Sequence, residues 1–226
     1  GVYHTHQNPL GLRYQLGDHV DYSSSTKDYT ESAAAVTKHS PIIGWAHDGY
    51  PIYGPYGYGT ALSSASAVRR MVPGYAKRDG NNGTDIVNNN RSVIPAWYAR
   101  YRVAHFGGSY STTAGASRPA VNTTYPLGTF AQDWDYLGDV GKTQGTDFDL
   151  DEYNGRYCVT PEYPSGTYAY FTAIASTGAA TYPYLLAFAF YGNASGGSVA
   201  RSEARSVGKE CRSRWSPYHQ KKKPPP

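Results

Sequence analysis

The chain has 226 residues, with 21 Lys+Arg, 17 Asp+Glu, 23 tyrosines, 25 glycines, 15 prolines and two cysteines. That length fits one domain with a sizeable core; no stretch approaches a membrane-spanning run, and the cysteines lack zinc-finger spacing. Residues 201–226 hold eight of the basic and two of the acidic side chains, so the rest carries 13 against 15, a net charge of −2 instead of the formal +4, which excludes nucleic acid as an expected partner.

Tyr, Gly and Pro are abundant while Leu, Lys and Glu are scarce, which favours strands and ordered loops over helices. Residues 1–6 and 12–16 read as short strands, and Tyr29–Lys38 as a brief helix on Ala33-Ala34-Ala35. Residues 41–58 read as two strands around an Asp48-Gly49 turn, a strong hairpin signal, with Trp45 and Ile52 expected to be buried beside it. Residues 59–92 are polar and aperiodic and read as a long surface excursion. Residues 93–104 fit a strand or a short helix. The runs 168–174 and 182–191 read as the stronger strands. The expected fold is mainly β, a sandwich or irregular barrel with long Gly/Pro/Tyr-rich loops and little helix.

Residues 201–226 close on Lys-Lys-Lys-Pro-Pro-Pro, and from Arg201 to His219 they resemble the translation of a common short-read sequencing adapter. The segment is therefore set apart as a non-native or disordered tail, with 1–200 as a single domain. The opening lacks methionine and falls inside a motif, as expected of a processed or N-terminally truncated chain. Cys211 belongs to the tail; Cys158 is expected to be buried in a strand or paired with a missing segment. Low charge and four glycosylation sequons, at Asn82, Asn90, Asn122 and Asn193, fit a secreted or cell-surface protein.

Candidate ligands cluster at two places. His4 and His6 are two residues apart, so on an extended strand both imidazoles face one side. His39, His47 and Asp48 follow in a rigid, glycine- and proline-punctuated segment. Imidazoles suit a transition metal, copper or zinc foremost. Asp147, Asp149 and Asp151 recur with the spacing of calcium ligands. Glu152, however, stands where an EF-hand needs glycine and Cys158 where it needs glutamate, so calcium is disfavoured. Asp149, Asp151 and Glu152 remain a second acidic candidate. Tyr50, Tyr53, Tyr56 and Tyr58 are candidates for a ligand groove, since tyrosine suits both sugar stacking and core packing. No nucleophile-elbow, metalloprotease or phosphate-loop motif is present.

Several blocks in order resemble the YHYH-domain family of secreted or cell-surface proteins. Tyr3-His4-Thr5-His6 stands at the naming motif, with Thr5 for its second Tyr. His39 to Tyr58 is similar to the central signature. Leu150 to Arg156, Thr160 to Phe171 and Tyr182-Pro183-Tyr184 are similar to the C-terminal blocks. Some members carry a further Tyr-His-Tyr-His near Tyr168 to Phe171, where this chain has no histidine. The resemblance implies no settled activity. Three readings follow: metal binding through the histidines in a structural or metal-handling role; a carbohydrate-binding or adhesion module that meets a small ligand or cell-surface glycan in a tyrosine groove; or a metal-dependent enzyme.

Overall fold

A computed structural model describes residues 7–84, 91–109 and 119–194, and among these residues it forms ten short strands, two α-helices and two short 3-10 turns. The chain divides into two units, Gly1–Gly192 and Asn193–Pro226, and every element named next lies in the first. The fold is mainly β, built of several small sheets, with no closed barrel among the described residues.

Helix α1 (Leu10–Gln15) replaces the strand expected over 12–16. Alternation of Leu12, Tyr14 and Leu16 suggests a strand with those residues inside. They are exposed instead, and Arg13 is the buried residue, drawn in by Asp18 and Glu31. Gly17, at φ 72°, takes the left-handed conformation that ends the helix. Strands β1 (Val20–Ser23) and β2 (Asp28–Glu31) pair as an antiparallel hairpin. The helix expected over Tyr29–Lys38 is absent; its first residues belong to β2 and the alanines lie in irregular chain.

Strands β3 (Ile42–Trp45) and β4 (Pro51–Tyr53) form the expected hairpin. The turn closes by Gly49 N–H donating to Ala46 O and Ala46 N–H to Tyr50 O, both at 2.9 Å, with Gly49 at φ 87°. Ile52 is buried, but Trp45 is 57% exposed, against expectation. The register shifts between Ile42 and Gly44, and β3 is an edge strand, with Trp45 at its end left largely uncovered by the described residues.

Residues 59–84 are also more structured than their polarity suggests. β5 (Tyr56–Tyr58) pairs with β6 (Val68–Arg70). β7 (Tyr75–Lys77) pairs with β8 (Trp134–Tyr136), and Met71 between them is fully buried. Helix α2 (Ala96–Phe106) starts after Pro95 and ends at Gly107. The strand expected over 182–191 is not formed; that run is a series of turns and bends.

β9 (Gly155–Cys158) and β10 (Thr167–Phe171) complete the central sheet, in the order β3-β4-β10-β9, with β10 parallel to β4 and antiparallel to β9. Side chains alternate along β4 and β10, so the sheet buries two different cores. Tyr53, Ala169 and Phe171 join Met71, Leu150 and Cys158 on one face. Ile52, Tyr168 and Tyr170 join Ala46 on the other. Each large side chain so buried stabilises by about 1.5–3 kcal/mol. A third, aromatic core packs Tyr75, Trp97, Trp134 and Tyr182.

Candidate functional site

His39 sits just before β3, with its ring against Tyr53 (5.0 Å between centroids), Tyr58 (5.1 Å) and Phe171 (5.9 Å). Its Nδ1 lies 2.7 Å from Ser40 O. A carbonyl oxygen only accepts, so Nδ1 carries the proton and Nε2 the lone pair. Nε2 is shielded from solvent and has no hydrogen-bond partner among the described residues. Burial lowers the His39 pKa, opposed by the Ser40 bond and the charge of Glu162, so the ring is neutral at pH 7.

A buried polar network holds this ring in place. The next residue, Ser40, donates its N–H to Tyr56 O (2.9 Å) and its hydroxyl to Asp18 (2.9 Å), and its Oγ accepts the Tyr56 N–H (3.1 Å). Asp18 accepts from Arg13 Nε (2.6 Å), and Arg13 also binds Glu31 and Asn8 Oδ1 (2.8 Å). Asn8 closes the ring of contacts by donating to Glu31 (2.8 Å). Gly54 is required at its position because a Cβ there would collide with Asp18 and Ser40. On the far side, the Tyr53 hydroxyl lies 2.9 Å from both Thr160 Oγ1 and Glu162 Oε2.

The sheet separates His39 from the other two candidates of its segment. His39 packs on the Tyr53–Phe171 face, whereas Asp48 accepts the Tyr170 hydroxyl (2.6 Å) on the opposite face. Asp48 also accepts the Gly192 N–H (2.9 Å), and Tyr191 N–H donates to the Tyr170 oxygen (2.8 Å). His47 is exposed, 6.1 Å from the ring of Phe190. Asp48 is thus a fastener for residues 191–192, and the set His39, His47 and Asp48 does not converge. His4 and His6 lie outside the described residues. Among the described residues, no three His, Cys, Asp or Glu side chains are grouped so as to hold a metal ion.

The acidic candidates diverge as well. Asp149 takes a bidentate pair with Arg69 (2.6 and 2.8 Å) and the Val72 N–H (2.8 Å). Glu152 accepts from Arg100 (3.0 Å). Asp151 accepts the Tyr168 hydroxyl (2.8 Å) and the N–H groups of Tyr153 and Gly155. Burial pushes Asp151 up to about 6 in spite of those bonds. Of the groove candidates, Tyr53 and Tyr56 are buried, and Tyr56 donates to Glu31 (2.8 Å); only Tyr50 and Tyr58 reach the surface. Tyr50 packs on Tyr168 (5.4 Å) and Tyr191 (5.7 Å), which places the Asp151 block beside the Asp48 hairpin.

An aromatic cleft elsewhere was not foreseen from sequence. It measures about 180 Å³ and lies between α2, Glu152-Tyr153 and Phe188. The Phe188 ring packs near Tyr101 (5.2 Å) and Trp97 (5.7 Å), and Arg100 bridges Asp139 (2.8 Å) and Glu152 at its edge. The phenol groups of Tyr101 and Tyr153 have no hydrogen-bond partner among the described residues. Trp97 and Tyr101, one helical turn apart, were the available signal.

No described helix is long and apolar enough to cross a membrane. A family model described as YHYH protein matches residues 1–182, so the chain belongs to that family. Neither the curated proteins nor the solved structures contain a significant match.

Proposed function

We propose that this YHYH-family domain is a secreted or cell-surface protein that binds a transition metal ion, copper or zinc, with His39 Nε2 as anchoring ligand. The observation that carries the reading is the orientation of that ring. A metal-bound histidine has its second nitrogen fixed by a backbone carbonyl or a carboxylate. His39 already has that arrangement through Ser40 O, with a neutral ring and a lone pair that no described residue uses. His4 and His6 are the proposed partners. Asn8, two residues beyond His6, is bonded to Arg13 and Glu31, and Arg13 leads through Asp18 and Ser40 to His39. Two residues of chain reach about 7 Å. Phe171 and Ala169 occupy the block where some relatives have histidines, and Phe171 shields one side of His39. The role is structural or metal-handling.

Elemental analysis after dialysis against zinc or copper tests this. The full chain should retain about one ion, while His39→Ala and His4→Ala/His6→Ala should each retain little and stay folded. Full metal content in both variants, or none in the parent, would overturn the reading.

A second reading, a carbohydrate-binding or adhesion module, rests on the aromatic cleft of α2 instead of the four tyrosines. Flat rings beside an Arg–Glu pair suit a sugar ring and its hydroxyls. Binding to immobilised glycans that Tyr101→Ala abolishes would favour it.

A further inference from the structure

Arg13, Arg69, Arg78, Arg91, Arg100 and Arg156 each lie within 4 Å of a carboxylate. Arg70, half-buried at the end of β6, does not, among the described residues. Its Nη1 donates to Ile174 O (2.8 Å), and Arg70 lines a cleft of about 310 Å³. Desolvation lowers its pKa, the mark of a cation short of compensation, and neighbouring Asp149 offsets this only in part. Asp149 is already shared between Arg69 (2.6 Å) and Arg156 (3.7 Å). Lys142, half-buried on the same cleft, also lacks a carboxylate partner among the described residues.

We propose that this cleft, between β6 and the segment from Ile174 to Thr181, binds a small tetrahedral oxyanion ester, a phosphate or sulfate monoester, through Arg70 and Lys142. The side chains of Asn82, Ser176 and Thr181 line the same cleft and make no hydrogen bond among the described residues, so they are available to ester oxygens. Asp147 also lines it, with its carboxylate engaged by the Thr143 N–H (2.8 Å). Two cations against one occupied carboxylate leave a positive balance. A guanidinium fork and an ammonium are the usual pair for such oxygens. The volume exceeds what a bare ion fills and sits at the small end of ligand clefts. His39 takes no part, so the inference is independent of the metal reading.

The test is calorimetric titration of the full, chelator-treated chain with methyl phosphate, methyl sulfate and acetate at matched ionic strength. We expect one ester, or both, to bind one to one, and acetate to bind at least tenfold more weakly. Which ester binds identifies the source. Arg70→Gln, whose amide keeps a donor for Ile174 O, and Lys142→Gln should each raise Kd at least tenfold, while His39→Ala should leave it unchanged. Should Arg70→Gln fail to fold, Lys142→Gln must show the loss by itself. No binding beyond the chloride control, equal binding of acetate, or unchanged affinity in Lys142→Gln would overturn the proposal.

Discussion

Tyr168 donates its phenol proton to Asp151 across 2.8 Å while its ring lies flat on Tyr191 at 3.7 Å. One strand residue thereby joins the acidic turn to the segment around Tyr191. The contact also buries a carboxylate, and that has a measurable consequence.

Asp151 has its folded pKa raised to about 6, above the ordinary aspartate value of about 3.9. The folded state then holds the proton more tightly than the unfolded state. Stability from this group is full below pH 4 and is lost as pH rises towards 6, by at most about 3 kcal/mol. Urea unfolding of the parent and Asp151→Asn at pH 4, 5, 6 and 7 should show the parent losing stability relative to the variant across that window. A constant difference would contradict the assignment.

Arg13 is fully buried between Asp18 and Glu31. Removing one partner from a buried pair leaves charge without compensation. Arg13→Ala should therefore cost about 3–5 kcal/mol, read as a fall in the denaturant midpoint, and should also loosen Asn8. A loss below about 1 kcal/mol would mean that water replaces the guanidinium easily.

Trp45 is mostly exposed on the edge strand. Trp45→Ala should cost less than about 1 kcal/mol, far below the loss expected of a buried tryptophan. A larger loss by chemical unfolding would place Trp45 in a core.

The contrast between Trp45 and its neighbouring turn shows what was legible in the sequence. Asp48-Gly49 is a turn because its own chemistry demands it, so the hairpin could be read locally. The side on which Trp45 falls depends on a register shift inside that hairpin, between Ile42 and Gly44, which the turn signal does not encode. Arg13 is the same case. Its burial comes from Asp18 and Glu31, and the alternating Leu12, Tyr14 and Leu16 pointed the other way. The histidines of the central segment are close in sequence, yet His39 packs on Tyr53 and Phe171 while Asp48 bonds Tyr170, and those partners alternate between the two faces of β4 and β10. The cleft on α2 needed Phe188, from a run that reads as a strand and folds as turns. The mainly β class was legible because composition alone decides between helix and strand here.

His39 has the opposite pH sense to Asp151. Its folded pKa is lowered, so the unfolded state binds the proton better, and stability from this group is lost as pH falls below about 6.5. His39→Gln should flatten that loss, and comparison with Asp151→Asn should separate the two opposing trends.

The most direct measurement is long-range proton–nitrogen NMR of the His39 ring at pH 7, before and after one equivalent of zinc. We expect Nδ1 protonated and Nε2 bare in the free chain, with the Nε2 resonance alone among the two moving strongly on addition of zinc. A protonated Nε2, or an Nε2 resonance that zinc leaves in place while the chain remains folded, would contradict a metal site anchored on His39.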